Sequence, residues 1–387
     1  MSVFTSPNLK CTSFLVTISL FVCFNSFAQQ KDSIYGKVKS IREKVIFLTE
    51  KQNPQFMYYD DYGHSGFMGP ESTIARFNYT WFSTASCYYI NYERSFNENG
   101  KLLVDKWFSK QDSLLIGYYY TYDEKERLIR KVDSSENSAS IEEHFYSGYS
   151  NKSIIYQNLE YRFFSHKYKQ YNKQKQLIRE KSMDDWGTID EYEYVYNADG
   201  NLLYRIYKDP NSWEKVNEKK WSFGSNDSVV NVYKDIVNEY DAEGRLIKNQ
   251  QFDLYEARNE EGIPILTETN IYNYEQQNLS YSSRTIHTNN NLQFNTYFVY
   301  DAKNRLKEKY CCNLNKEEAR RVEKYKYEND KISSLTFTRK EDYKDNLLTY
   351  QVSFSYTFDA KGNWTEILKT VDGVPLYKWK RELTYYN

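Results

Sequence analysis

Proline and glycine are scarce in this chain of 387 residues, at 6 and 14. That excludes a collagen-like chain, which needs glycine at every third position. Charge of one sign is also missing: 52 Lys+Arg stand against 53 Asp+Glu, a formal charge of -1. Such a balance argues against a nucleic-acid binder, which carries a net basic face toward the phosphates. Cysteine is rare, and no C-x-x-C pair occurs. The four histidines (His64, His144, His166, His287) never fall at helical metal-ligand spacing, so neither a structural zinc site nor a cofactor is expected. Beyond the first 28 residues no apolar run is long enough to span a bilayer as a helix.

Within those 28 residues a different pattern stands. Lys10 precedes an apolar run from Cys11 to Phe24, and Ser26 and Ala28 place small residues at the -3 and -1 positions of a cleavage site. This describes a secretory signal peptide over 1–28, and hence an exported, periplasmic, cell-surface or secreted protein. Its removal leaves Cys87, Cys311 and Cys312, too few for a disulfide framework. One bridge, from Cys87 to Cys311 or to Cys312, is open to an oxidising compartment.

Aromatic residues are abundant instead: 40 Tyr, 22 Phe and 7 Trp, together 18%. A disordered chain is thereby excluded. Many of these aromatics recur in one pattern, an aromatic followed by a polar turn and an aliphatic. It begins at Phe96-Asn97-Glu98-Asn99-Gly100-Lys101-Leu102 and returns from Tyr122, Tyr171, Tyr196, Tyr240, Tyr300 and Phe358, with weaker copies at Tyr146, Phe223, Tyr274 and Tyr327. Most steps are 24 to 27 residues. Residues alternate on both sides of the turn, as in Tyr192-Glu193-Tyr194-Val195-Tyr196 and Leu202-Leu203-Tyr204-Arg205, which is strand periodicity. The Asp or Asn after the aromatic can bond the backbone two residues on, and the fifth residue of the unit, usually Gly or Asn, supplies positive φ. Glu126 and Lys175 hold that position without being either. Each unit is read as one hairpin, and about eleven in series as an antiparallel meander forming a curved sheet or superhelix. Alternation predicts Tyr194, Tyr196, Leu202 and Tyr204 on the covered face, with Glu193 and Arg205 exposed.

The unit Tyr240-Asp241-Ala242-Glu243-Gly244-Arg245-Leu246 resembles the YD repeat of RHS and teneurin-type proteins. Phe358 to Trp364 and the opening Tyr35-Gly36-Lys37-Val38-Lys39-Ser40-Ile41 resemble secreted RHS-like repeat proteins of Bacteroidetes. The resemblance covers residues 94–387 and implies β-hairpin repeats. The proline-containing self-cleaving motif of the large toxin-enclosing shells is not found, so toxin delivery is not implied.

Residues 29–93 fit no repeat and are read as an N-terminal cap over the first open edge. Function is expected on irregular loops held by a rigid scaffold, and the stretch 56–70, with Gly63, Gly66 and Gly69, is the most irregular. A ligand site is therefore expected at Tyr59, Asp61, His64 and Trp81. Catalytic patterns are weak. Gly63-His64-Ser65-Gly66 lacks the second glycine of a nucleophile elbow because Phe67 stands there. Asp60-Asp61 and Asp184-Asp185 are sequence neighbours rather than carboxylates facing across a cleft, and Glu142-Glu143-His144 is read as a plain segment. The expected function is a non-catalytic binding or structural module at the cell envelope, with a glycan or an envelope protein as partner. Exposed Tyr and Trp would stack on flat sugar faces or on a partner's apolar patch, with Trp81, Trp107, Trp186, Trp213, Trp221, Trp364 and Trp379 as candidates. The alternative is a surface glycan-active enzyme.

Overall fold

The computed structural model describes residues 34–48, 74, 77–78, 81, 89–135, 139–157, 162–209, 231–258, 264–288, 291–313, 315–340 and 346–387. The segment read as a signal peptide lies outside them. The strands are β1 (Val38–Phe47), β2 (Asn91–Phe96), β3 (Leu102–Phe108), β4 (Leu114–Tyr122), β5 (Leu128–Ser135), β6 (Ala139–Ser147), β7 (Ser150–Gln157) and β8 (Arg162–Tyr171). They continue as β9 (Leu177–Asp184), β10 (Ile189–Tyr196), β11 (Leu202–Asp209), β12 (Asn231–Tyr240), β13 (Leu246–Arg258), β14 (Pro264–Glu275) and β15 (Asn278–Ile286). The last are β16 (Leu292–Tyr300), β17 (Leu306–Cys312), β18 (Arg321–Glu328), β19 (Lys331–Lys340), β20 (Leu347–Phe358), β21 (Trp364–Val371) and β22 (Val374–Tyr385).

All 22 strands join one antiparallel sheet in which each pairs with its sequence neighbour. The sheet is all-β as expected, but it is neither an open curve nor a superhelix. β1 pairs with β2 on one side and with β22 on the other, so the ring closes into a barrel. Closure removes the free edges that an open meander of hairpins would leave exposed to other chains.

Repetition is visible in the turns. At Asn97, Asp123, Asn172, Asn197, Asp241, Asp301 and Asp359 the same two backbone bonds form: the residue's N–H donates to the carbonyl four residues on, and its carbonyl accepts from the N–H three residues on. The side chain adds a third anchor; Asp241 Oδ1, for example, accepts from the N–H groups of Glu243 and Arg245 at 3.1 and 2.8 Å. At Asp123 the bonds from Arg127, backbone first and then side chain, hold the carboxyl below its usual range. In an up-and-down ring alternate connections share an end, so all seven turns line one rim. The other rim carries the connection from β1 to β2.

Every one of these hairpins also contains a β-bulge where the aromatic meets the aliphatic. Phe96 pairs with Leu102, Tyr122 with Leu128, Tyr171 with Leu177, Tyr196 with Leu202, Tyr240 with Leu246, Tyr300 with Leu306 and Phe358 with Trp364, each with a register shift. An extra residue in one strand reverses the facing of everything beyond it. The predicted alternation therefore needs correction in β11. Tyr194 is buried as expected, but Arg205 lies opposite it on the same face and pairs with buried Asp235. Tyr204 turns outward, with the Lys234 ammonium 4.1 Å from its ring centroid.

The core lies on one face of the ring. Trp107, Leu335, Phe337, Ile367, Tyr377 and Trp379 belong to a single buried cluster. Side chains of distant strands converge in a closed single-layered sheet only inside it, so this is the lumenal face. Phe77 and Trp81, from the β1–β2 connection, enter the same cluster; the Phe77 and Trp379 rings meet edge to face at 4.6 Å. The seam is stitched by Glu43, whose carboxylate accepts from Arg381 Nε and Nη2 and from Trp379 Nε1, each at 2.8 Å. Outward positions of β18–β22 and β1 carry Thr336, Thr338, Gln351, Ser353, Glu366, Lys378, Lys380, Glu382, Arg42 and Lys44.

Candidate functional site

Of the four residues expected to form a site, Tyr59, Asp61 and His64 lie outside the described residues. Trp81 is a core residue here: its ring packs on Phe354 at 5.2 Å and on Trp379 at 5.5 Å, and its carbonyl accepts from the Tyr377 hydroxyl. Among the tryptophans proposed for stacking, Trp107, Trp364 and Trp379 are buried, Trp186 is 88% exposed at the β9–β10 turn, and Trp213 and Trp221 lie outside the described residues. Asp184 caps that turn by accepting from the N–H groups of Trp186 and Thr188. Glu142 and His144 share the lumenal face, 3.5 Å apart. Cys311 and Cys312 are free thiols, while Cys87 lies outside the described residues. Among the described residues no group of three or more His, Cys, Asp or Glu could hold a metal ion.

The structure brings together a different set. On the outward face of β14–β17, Asn273, Tyr281, Tyr297 and Tyr310 stand in one cross-strand row. The Tyr281 and Tyr297 rings are 5.0 Å apart and inclined at 49°, forming a notch. Around it lies a shallow hollow of about 500 Å³ lined by Asn273, Tyr274, Glu275, Ser280, Tyr281 and Tyr297.

Beneath the notch is a polar network. Ser283 and Asn295 are 4% and 3% exposed although they point away from the lumen. Asn295 Oδ1 accepts from the Tyr281 hydroxyl and from Gln293 Nε2, both at 3.0 Å, and Asn295 Nδ2 donates to the Asn313 carbonyl at 3.1 Å. Gln293 Nε2 also donates to Ser283 Oγ at 2.9 Å. A buried amide satisfied on both sides fixes whatever it holds, so Tyr281 is presented in one orientation. Desolvation first, then the neighbouring Tyr281, raises the Tyr297 phenol above its ordinary value and keeps it a neutral hydroxyl. On the far side the Tyr310 hydroxyl donates to the Glu308 carboxylate, a bond that with burial pushes its phenol up to about 12.

Chemically the notch can stack a flat apolar ring face and hydrogen-bond hydroxyls around it. Among the described residues that line the hollow, Glu275 is the one carboxylate. A second depression, of about 340 Å³, sits over the seam at Ser40, Arg42, Glu93, Glu382 and Thr384 and contains no aromatic ring.

Sequence reasoning passed over Tyr281 because of the bulge. Leu279 and Tyr281 are two apart and read as one face, yet Tyr274 pairs with Leu279 and Asn273 with Tyr281. Leu279 consequently lies in the core and Tyr281 points out.

No family model and no curated protein matches the chain. Among solved structures, a TcdB2-TccC3-TEV crystal structure matches at TM-score 0.33 and 11% identity, over 74% of this chain and 16% of that one. This chain thus spans about a sixth of that chain's length. A porin-like protein from Bacteroides uniformis matches at TM-score 0.25 and 9% identity, over 91% of this chain and 98% of that one. One from Bacteroides vulgatus matches at TM-score 0.20 and 11% identity, over 73% and 97%. Likeness at this level carries no argument about function.

Proposed function

We propose that this chain is an exported, non-catalytic carbohydrate-binding barrel of the cell envelope that offers the Tyr281–Tyr297 notch outward. The observation that carries the reading is the network of buried Ser283 and Asn295, joined by Gln293, under a half-buried tyrosine pair. Rigid aromatic rings bind at low entropic cost, and a network that satisfies itself while holding a surface ring serves positioning. The outward face of β18–β22 and β1 supports a water-facing barrel. A strand barrel that crosses a bilayer shows a lipid-facing apolar band about 25 Å tall, and Thr336, Thr338, Lys378, Lys380 and Glu382 stand where that band would be. Among the described residues no helix is long and apolar enough to cross a membrane.

Calorimetric titration with three uncharged hexasaccharides, of the cello-, laminari- and chito- series, tests the proposal. Wild type should bind at least one of them. Tyr281→Ala/Tyr297→Ala should keep its circular dichroism spectrum and weaken binding at the notch about tenfold or more, ~1.4 kcal/mol. A folded double variant that binds with undiminished stoichiometry and affinity removes the notch from the site. Turnover of chromogenic glycosides would replace the binding reading with the enzymatic one.

A further inference from the structure

On the lumenal side of the same strands a second constellation stands that the notch does not use. Asn238, Asn249, Asn270, Arg284 and Phe294, one from each of β12–β16, form a single cross-strand row. Tyr272, two residues from Asn270 on the same face, belongs to the core cluster, which places the row inside the ring. Solvent nevertheless reaches it: the Arg284 side chain is 55% exposed and Phe294 41%. We infer that this row is a second ligand site, for a neutral, hydroxyl-rich chain such as an uncharged oligosaccharide.

Charge selects the class. Arg284 donates to Glu268 Oε2 through Nε at 2.8 Å and Nη2 at 2.6 Å, so the guanidinium is neutralised within the site. The remaining polar members are carboxamides, and the patch as a whole has no net charge to attract an anion or a cation. Geometry selects the shape. At a strand separation of ~4.8 Å the row extends about 19 Å from β12 to β16, the dimension of a chain of several sugar rings rather than of one.

The amides are held in a fixed sense. Asn270 Nδ2 donates to Glu268 Oε1 at 2.7 Å and to Asn249 Oδ1 at 3.3 Å; Asn249 Nδ2 donates to Asn238 Oδ1 at 2.8 Å; Asn238 Nδ2 donates to the Leu202 carbonyl at 2.8 Å. Their orientation is thereby settled before any ligand arrives, which lowers the cost of binding. An amide ladder alone would be explained by sheet stability. Phe294 is not, because an apolar ring on a core-facing position gains from burial and this one stays open beside Arg284, its register partner. An exposed ring at the end of a row of oriented amides is the combination that stacks one sugar and hydrogen-bonds the next.

The site is independent of the tyrosine notch, and calorimetric stoichiometry separates them. With the uncharged hexasaccharides, wild type should bind two molecules per chain, Tyr281→Ala/Tyr297→Ala one, Phe294→Ala one, and the triple variant none. Phe294 is exposed, so its truncation opens no core cavity, and its melting temperature should match wild type. An anionic hexagalacturonate should bind Phe294→Ala and Tyr281→Ala/Tyr297→Ala equally poorly. Loss of all binding in Tyr281→Ala/Tyr297→Ala, or two sites persisting in Phe294→Ala, overturns the lumenal site and leaves the notch standing. The converse pattern, one site that Phe294→Ala alone abolishes, overturns the notch and leaves this site. Absence of binding to wild type overturns both.

Discussion

At the fifth position of the seven shared turns the backbone is left-handed whatever residue stands there. Gly100, Gly200, Gly244 and Gly362 lie at φ 77 to 87°, and Glu126, Lys175 and Asn304 at 58 to 63°. A Cβ in this region costs about 1 kcal/mol, so Glu126 and Lys175 hold their turns under strain that the caps outweigh. Gly362 offers a clean test because a Cβ there would meet nothing within 4 Å. Gly362→Ala should therefore lower stability by about 1 kcal/mol through backbone strain alone, and Lys175→Gly should leave the melting temperature unchanged or raise it. Denaturant titration of both variants checks this; equal losses would contradict it. These turn positions were legible from sequence, since Asp caps, glycine and the flanking aromatic each act within a few residues. The notch was not, because its facing depends on a bulge that no residue type announces.

Between hairpins the repeating tyrosine works as a register clamp. Tyr122 donates to the Leu102 carbonyl, Tyr146 to Leu128, Tyr196 to Leu177, Tyr240 to Leu202, Tyr274 to Leu246 and Tyr327 to Leu306, at 2.7 to 3.0 Å. Each bond ties an aromatic to the bulge of the preceding hairpin. The turn arginine then covers the next ring: Arg127 over Tyr146, Arg245 over Tyr274, Arg305 over Tyr327. Where the aromatic is Phe358, which has no hydroxyl, Tyr356 donates to the Ile332 carbonyl instead. Tyr240→Phe should cost about 1 kcal/mol, and hydrogen exchange should quicken in β11–β13 while the β20–β22 hairpins stay protected. Uniform acceleration around the ring would show that the hydroxyl is no local clamp. Strand periodicity told where the strands were; it could not tell that the tyrosines carry bonds from one unit to the next.

For the whole molecule the deciding feature is closure, and it was illegible for a physical reason. The seam joins residues some 340 positions apart, as between Glu43 and Arg381, and nothing in Val38–Phe47 marks it as the partner of Val374–Tyr385. A strand that fits an unpaired end looks, residue by residue, like a cap. The interior charge pair gives the seam its register: a buried Glu43–Arg381 pair at 3% exposure each is costly to misalign. Closure also divides the molecule into the two faces on which both ligand sites depend. If the ring were open, Asn270 and Phe294 would line an exposed surface instead of a lumen.

The most direct test of this account is therefore a cross-link across the seam. Ser40 on β1 and Thr384 on β22 are register partners on the outward face, their hydroxyl oxygens 2.6 Å apart. Ser40→Cys/Thr384→Cys should form a disulfide under mild oxidation, read by mass spectrometry as the linked peptides, as fully as a control pair, Glu366→Cys/Lys380→Cys, placed within the β21–β22 hairpin. Oxidation of the control with free thiols at positions 40 and 384 would contradict a closed ring.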